Sequence, residues 1–294
     1  MQPPPLLITV SSWEDRFDMG FKQIVESLPA RDVEPLVFTF VDHHLKETRE
    51  HVQIAKSVKE FEDIEILYEK SEQTWNIVKS QLGELLPERK VLVDFSTMPR
   101  HLIWMILRFL EERKIKHVDC IYHRPLDYGD GWVTKNPGRP RIAYKLGGEL
   151  EIGAKTLLLI LAGYDKQRVF NLINSFEPDE ILLGIHKDDS EHWQRAIHKD
   201  EIDSCGIQIE PFEYDAFDKN FGFNAIQEKC QKHFSEGSNV LLASLGPKPS
   251  AISLYNLNRE YSNSALVYVP AKDFNLKYSK GIGQQCRLTM SFSK

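Results

Sequence analysis

Apolar positions in this chain occur in two kinds of run. Short continuous blocks stand at 6–10 (Leu-Leu-Ile-Thr-Val), 91–93 (Val-Leu-Val), 156–161 (Thr-Leu-Leu-Leu-Ile-Leu) and 240–243 (Val-Leu-Leu-Ala). Between them lie longer stretches in which apolar residues return every three or four positions. Continuous blocks mark strands buried on both faces, and the longer period marks amphipathic helices. The pattern predicts strands over 6–10, 35–41, 64–67, 90–95 and 118–122, with helices over 14–27, about 46–60, 72–86 and 99–114. The same order then returns. Strands are expected over 156–161, 180–185, 207–212, 239–244 and 265–269, with helices over 165–176, 190–204, 223–234 and 249–261.

Strict strand–helix alternation calls for mostly parallel sheets covered by helices, with right-handed crossovers. The expected fold is therefore α/β: two tandem doubly wound, Rossmann-like units, each on a five-stranded parallel sheet, with a pseudo-two-fold relation. The expected limits are 1–123 for the first unit and 156–278 for the second. Residues 124–155, rich in Gly, Pro and aromatics, form a connector or hairpin between them, with a tight-turn signal at Asp130-Gly131. Residues 279–294 form an extended segment. The connector and this segment are each candidates for an edge strand, a lid or a dimer arm.

The repeat is plainest at two turns. Asp94-Phe95-Ser96-Thr97-Met98-Pro99-Arg100 and Ala243-Ser244-Leu245-Gly246-Pro247-Lys248-Pro249 each follow an apolar strand and open a helix. In a doubly wound sheet, ligands sit beyond the carboxyl ends of the strands where the strand order reverses. The ends of the first and fourth strands face that place. Helix N-termini there suit phosphate or carboxylate. In the first half they carry Ser11, Ser12 and Arg16, then Ser96, Thr97 and Arg100, which offer hydroxyls and guanidinium forks. In the second half, Gly246 would allow a close backbone approach and Lys248 supplies a point charge. Helix capping explains some of the same residues: Ser12 with Asp15 fits a capping box, and Pro99 suits a first helical turn.

Asp94 is the one acid in its otherwise apolar strand run, so it needs a partner such as Arg16 or Arg100, or serves as a general base. Its counterpart is Ala243. His43, after the second strand, and His101, beside Arg100, are the other acid–base candidates. Trp132 is placed to stack on a ring. His186, His192 and His198 lack a shared helical face, so no metal site is expected, and no cofactor is. A Gly-x-Gly-x-x-Gly turn, a P-loop and a nucleophile elbow are all missing from the sequence.

Composition narrows the class. A formal charge of −6 argues against broad nucleic-acid binding. The four cysteines are dispersed, which suits neither a disulfide framework nor a metal cluster. No apolar run reaches the length of a membrane span, and no secretory leader is evident, so a cytoplasmic protein without membrane contact is expected.

The 94–100 turn resembles the fourth-strand motif of CRISPR-associated Rossmann fold (CARF) sensors. Ser96 and Thr97 take the hydroxyl positions of the family's turn and Arg100 the cation. Met98-Pro99 stand where the family has glycines. The 11–16 turn corresponds to the ligand-facing loop of such domains. The resemblance implies a binding or sensing module for an anionic, nucleotide-type ligand in a bacterial anti-phage system, signalling to a partner effector chain or a second copy. Two alternatives stay open. One is a nucleotide-directed hydrolase using Asp94 with His101 or His43. The other is a structural scaffold whose sites are vestigial.

Overall fold

The structure, a computed structural model, describes residues 3–83, 88–129, 132–187 and 206–292. The helix expected over 190–204, with His192, Trp193 and His198, lies outside these residues, as do the Asp130-Gly131 turn and the end of the helix expected over 72–86. The chain divides into two compact units. Unit 1 comprises 1–130 with 276–294, and unit 2 comprises 131–275.

In unit 1 the elements run β1 (Leu6–Val10), α1 (Asp15–Ser27), β2 (Glu34–Phe40), α2 (Leu45–Val58), β3 (Asp63–Ile66), α3 (Ser71–Gln81), β4 (Val91–Asp94), α4 (Arg100–Glu112) and β5 (His117–His123). After β6 (Asp127–Tyr128) the chain enters unit 2. There it forms β7 (Thr134–Pro137), β8 (Arg141–Ile142), β9 (Thr156–Leu161), α5 (Lys166–Phe176), β10 (Glu180–His186), β11 (Gln208–Tyr214), α6 (Phe223–Ser235), β12 (Asn239–Ser244), α7 (Ser250–Glu260), β13 (Ser264–Tyr268) and β14 (Ala271–Phe274). It returns to unit 1 for β15 (Ser279–Lys280) and β16 (Gln285–Ser291).

The mixed α/β fold with parallel sheets is as expected. The unit 1 sheet has the order β16-β5-β4-β1-β2-β3, and the unit 2 sheet the order β11-β10-β9-β12-β13-β8. Each contains five parallel strands in the doubly wound order 3-2-1-4-5, plus one antiparallel strand beside the fifth. The central strands β1, β4 and β12 are buried along their whole length, and β9 at all but its first residue, which is why they read as continuous apolar blocks. β11 lies at a sheet edge, where it tolerates Pro211 and alternates exposed with buried positions.

α4 is apolar almost all round (Leu102, Ile103, Trp104, Ile106, Leu107) and buried, so its N-terminus is fixed by packing rather than by a side-chain cap. Across the sheet, α1 packs Phe17, Phe21 and Ile24 on Leu7, Val37 and Leu92. Unit 2 builds its own core from Leu158, Ile160, Leu172, Leu183 and Val267.

The short strands within 124–155 pair not with one another but with later strands: β6 with β15, β7 with β14 and β8 with β13. Turn signals report local geometry only, so such distant pairing left no mark in the sequence.

Candidate functional site

The strand order puts the unit 1 reversal between β1 and β4, whose carboxyl ends carry Ser11 to Glu14 and Phe95 to Pro99. The residues expected at this place do gather there, but most of their polar atoms already serve the fold. Ser11 is buried and donates to Thr39 Oγ1 at 2.8 Å. Ser12 Oγ accepts the Glu14 N–H at 3.2 Å. The anticipated capping box with Asp15 does not form, because Asp15 Oδ2 instead accepts the Gly281 N–H at 2.8 Å.

Arg16 is buried and donates to Tyr122 Oη at 3.1 Å, to the His123 carbonyl at 3.2 Å and to Glu14. Burial opposes its charge, but Glu14 alongside outweighs that and raises the guanidinium above its ordinary value. Its partner is thus Glu14 and not Asp94. Glu14 in turn accepts from Ser279. The β1–α1 turn therefore carries two carboxylates and is covered by the chain's own residues 279–281.

Asp94 is 2 % exposed, and its Oδ1 accepts both the Ser96 N–H at 3.1 Å and the Ser96 hydroxyl at 2.5 Å. Ser96 Oγ also accepts the His123 N–H at 2.8 Å and lies 3.3 Å from His123 Nδ1. The partner that a buried acid required is thus a serine two residues on, with a histidine from β5. Neither Arg16 nor Arg100 takes that role. Thr97 Oγ1 donates to the Val10 carbonyl at 2.8 Å, tying the fourth-strand turn to the end of the first strand. What the turn presents outward is the N-terminus of α4, with half-buried Arg100 in its first turn.

Beside that N-terminus runs a row of rings that the sequence did not announce. Trp13 meets His44 edge-on at 4.7 Å. His44 lies 6.1 Å from His43, and His43 lies 4.4 Å from Tyr68. Tyr68 meets His101 edge-on at 4.9 Å. The row draws on the loops after β1, β2 and β3 and on the first turn of α4. Asp42 anchors its middle by accepting the Tyr68 N–H at 2.9 and 3.0 Å. His44 holds φ 45° and ψ 38°, a left-handed conformation that is strained for a residue with a Cβ. Such strain persists only where surrounding packing over-determines it.

Unit 2 uses the same positions differently. The N–H groups of Leu245 and Gly246 donate to the Leu161 carbonyl at 2.9 and 2.8 Å, the bond that Thr97 makes with its hydroxyl in unit 1. A Cβ on Gly246 would lie 2.4 Å from the Ala162 carbonyl oxygen, and one on Gly163 would lie 2.1 Å from that of Leu245. Gly246 therefore lets protein backbone approach closely, and the two turns close on each other. Ser250 donates to the Pro247 carbonyl at 2.8 Å and accepts from the Ser244 hydroxyl at 2.8 Å, which stiffens the turn that carries half-buried Lys248. Arg168 repeats the buried Arg16, held by Asp165 at 3.3 Å. Trp132 is partly exposed with Lys135 over its ring, away from either turn in sequence.

No protein-family model and no curated protein matches the chain. Among solved structures, it is similar to a type III CRISPR defence DNA nuclease activated by cyclic oligoadenylate, at 9 % identity and a TM-score of 0.58. The match covers 85 % of this chain and 63 % of that one. The chain shares that nuclease's fold. The resemblance to CARF sensors thus holds for the architecture, over most of this chain and under two thirds of the nuclease. The cytoplasmic domain of a prokaryotic cation chloride cotransporter superposes with a TM-score of only 0.29. Among the described residues, no helix is long and apolar enough to cross a membrane.

His123, Gln285 and Tyr68 are the site's unannounced members. His123 had a faint signal: like Asp94, it is a polar residue ending a buried apolar strand.

Proposed function

We propose that this chain is a sensing module for an anionic, nucleotide-type ligand, bound at the carboxyl ends of the unit 1 strands, and that it works with an effector partner or a second copy of itself in an anti-phage defence system. One observation carries the reading. The N-terminus of α4, with Arg100 in its first turn, adjoins the row Trp13–His44–His43–Tyr68–His101. A helix N-terminus with a guanidinium suits phosphate, and adjacent ring faces and edges suit a nucleobase. The fold shared with a nuclease activated by cyclic oligoadenylate supports the same class of ligand. Ser11, Ser12, Arg16, Ser96 and Thr97 shape the site from beneath through the bonds described. Gly246 and Lys248 carry the corresponding turn of unit 2.

Asp94 is too enclosed to reach a substrate, so a hydrolase on this scaffold would rely on His43 or His101. Thermal melting with a panel of nucleoside phosphates and linear and cyclic oligonucleotides, followed by chromatography of the recovered ligand, separates the readings. A raised melting temperature with intact ligand is the expected result. Conversion of the ligand would make the chain a hydrolase, and neither effect would make it a scaffold. Arg100→Ala should abolish the ligand-induced shift, and a shift of unchanged size in that variant would sink the assignment.

A further inference from the structure

Residues 279–291 reach both reversal turns of unit 1, the first directly and the second through His123 of β5. Ser279 and the Gly281 N–H donate to Glu14 and Asp15 at the start of α1. Farther on, Gln285 places its amide nitrogen 2.9 Å from His123 Nε2. With that N–H donating, Nε2 is the acceptor and the ring proton sits on Nδ1. Nδ1 faces Ser96 Oγ at 3.3 Å and Asp94 Oδ1 at 3.9 Å. His123 and Ser96 are both 0 % exposed, whereas Gln285 is exposed. A chain of polar contacts therefore runs from the surface at Gln285, through a buried imidazole, to the serine that shapes the turn before α4.

The packing around it leaves little slack. A Cβ on Gly20 of α1 would stand 2.9 Å from His123 Nδ1 and 3.6 Å from Asp94 Oδ2. The ring thus fills a slot that only a glycine on the covering helix permits. A buried polar network of this kind specifies one arrangement when every member is satisfied, and loosens as a unit when one is lost.

We propose that Gln285 and His123 are positioning residues. The strand β16 and the segment before it set the conformation of the 95–100 turn through them, so the site is assembled only when this segment is docked. The proposal rests on the reading of that turn as the ligand site. Because coupling between two events is reciprocal, ligand at the turn must in return tighten the docked segment.

The test uses the full chain with Gln285→Leu and Gln285→Glu. Both change an exposed side chain, so folding is expected to survive. Without any ligand, backbone amide exchange at Ser96 and Met98 should speed up about tenfold in Gln285→Leu, while exchange along β1 stays as in the parent. Imidazole ¹⁵N shifts should report Nε2 as a hydrogen-bond acceptor in the parent and as a donor in Gln285→Glu, a change that a merely space-filling role would not produce. Unaltered exchange at 96–98, or identical ¹⁵N shifts in the two chains, would overturn the relay. With a ligand that stabilises the parent, its affinity should fall about tenfold in Gln285→Leu, and proteolysis within 279–291 should slow on binding. Equal affinity would also overturn the proposal. If no ligand in the panel stabilises the parent, the sensing function fails, and the ligand-free exchange still decides the relay.

Discussion

Gly20 shows how one side chain's absence can outrank helix propensity. A helix-interior glycine costs about 1 kcal/mol relative to alanine, so Gly20→Ala should stabilise α1 if the helix stood alone. The added methyl, however, would meet a fully buried imidazole at 2.9 Å. Overpacking of this kind costs roughly 1–3 kcal/mol, and the ring cannot swing aside without leaving Ser96 and Gln285. The expected outcome is a net loss of up to about 2 kcal/mol in urea unfolding, and a gain would show that His123 has room to move. The same residues show what the sequence could and could not disclose. That Asp94 needs a partner was legible, because an acid in an apolar strand must be compensated. Which partner was not, since His123 and Gln285 come from strands whose neighbours only the fold decides. Gly246 was legible as a close approach, but whether of ligand or of backbone depended on the end of β9.

Among elements, β16 is held by a charge-assisted clip as well as its ladder. Asp119 of β5 accepts from Arg287 at 2.5 Å and from Thr289 at 2.6 Å. Partial burial works against its carboxylate, but the bonds from Thr289 and Arg287 outweigh it and hold the group below the usual carboxylate range. A lowered folded value stabilises above the unfolded pKa and is lost as pH falls through the folded one. The clip should therefore be intact at neutral pH and release only in acid, below about pH 4. Acid titration followed by amide exchange along β16 should show this, with Asp119→Asn flattening the dependence. A β16 that exchanges identically at neutral pH and in acid would contradict it. Strands and helices themselves were the most legible part of the chain, because the central blocks are buried on both faces. The short strands β6, β7 and β8 were not, since their partners lie far along the chain.

On the scale of the whole molecule, both sheets repeat one strand order, yet the reversal turns are joined differently: in unit 1 the Thr97 side chain ties them together, and in unit 2 they meet backbone to backbone. Unit 1 is also discontinuous: it needs 276–294 to complete it. A chain truncated after residue 275 should accordingly keep unit 2 and lose part of unit 1. It would leave β5 as a bare edge, a template for association. Calorimetry should show one transition moved down and one unmoved, and two unmoved transitions would mean that 276–292 are dispensable.

That discontinuity has a consequence for how the protein comes into being. Domains generally fold in the order in which the ribosome delivers them. Here β1 to β5 are made before unit 2 but belong to a unit completed after it, because β16 emerges only after all of unit 2. A nascent chain must therefore hold an incomplete sheet, with its β5 flank uncovered, until β16 has emerged. If residues 279–285 also set the 95–100 turn, that turn cannot take its final form before residue 285 has been made.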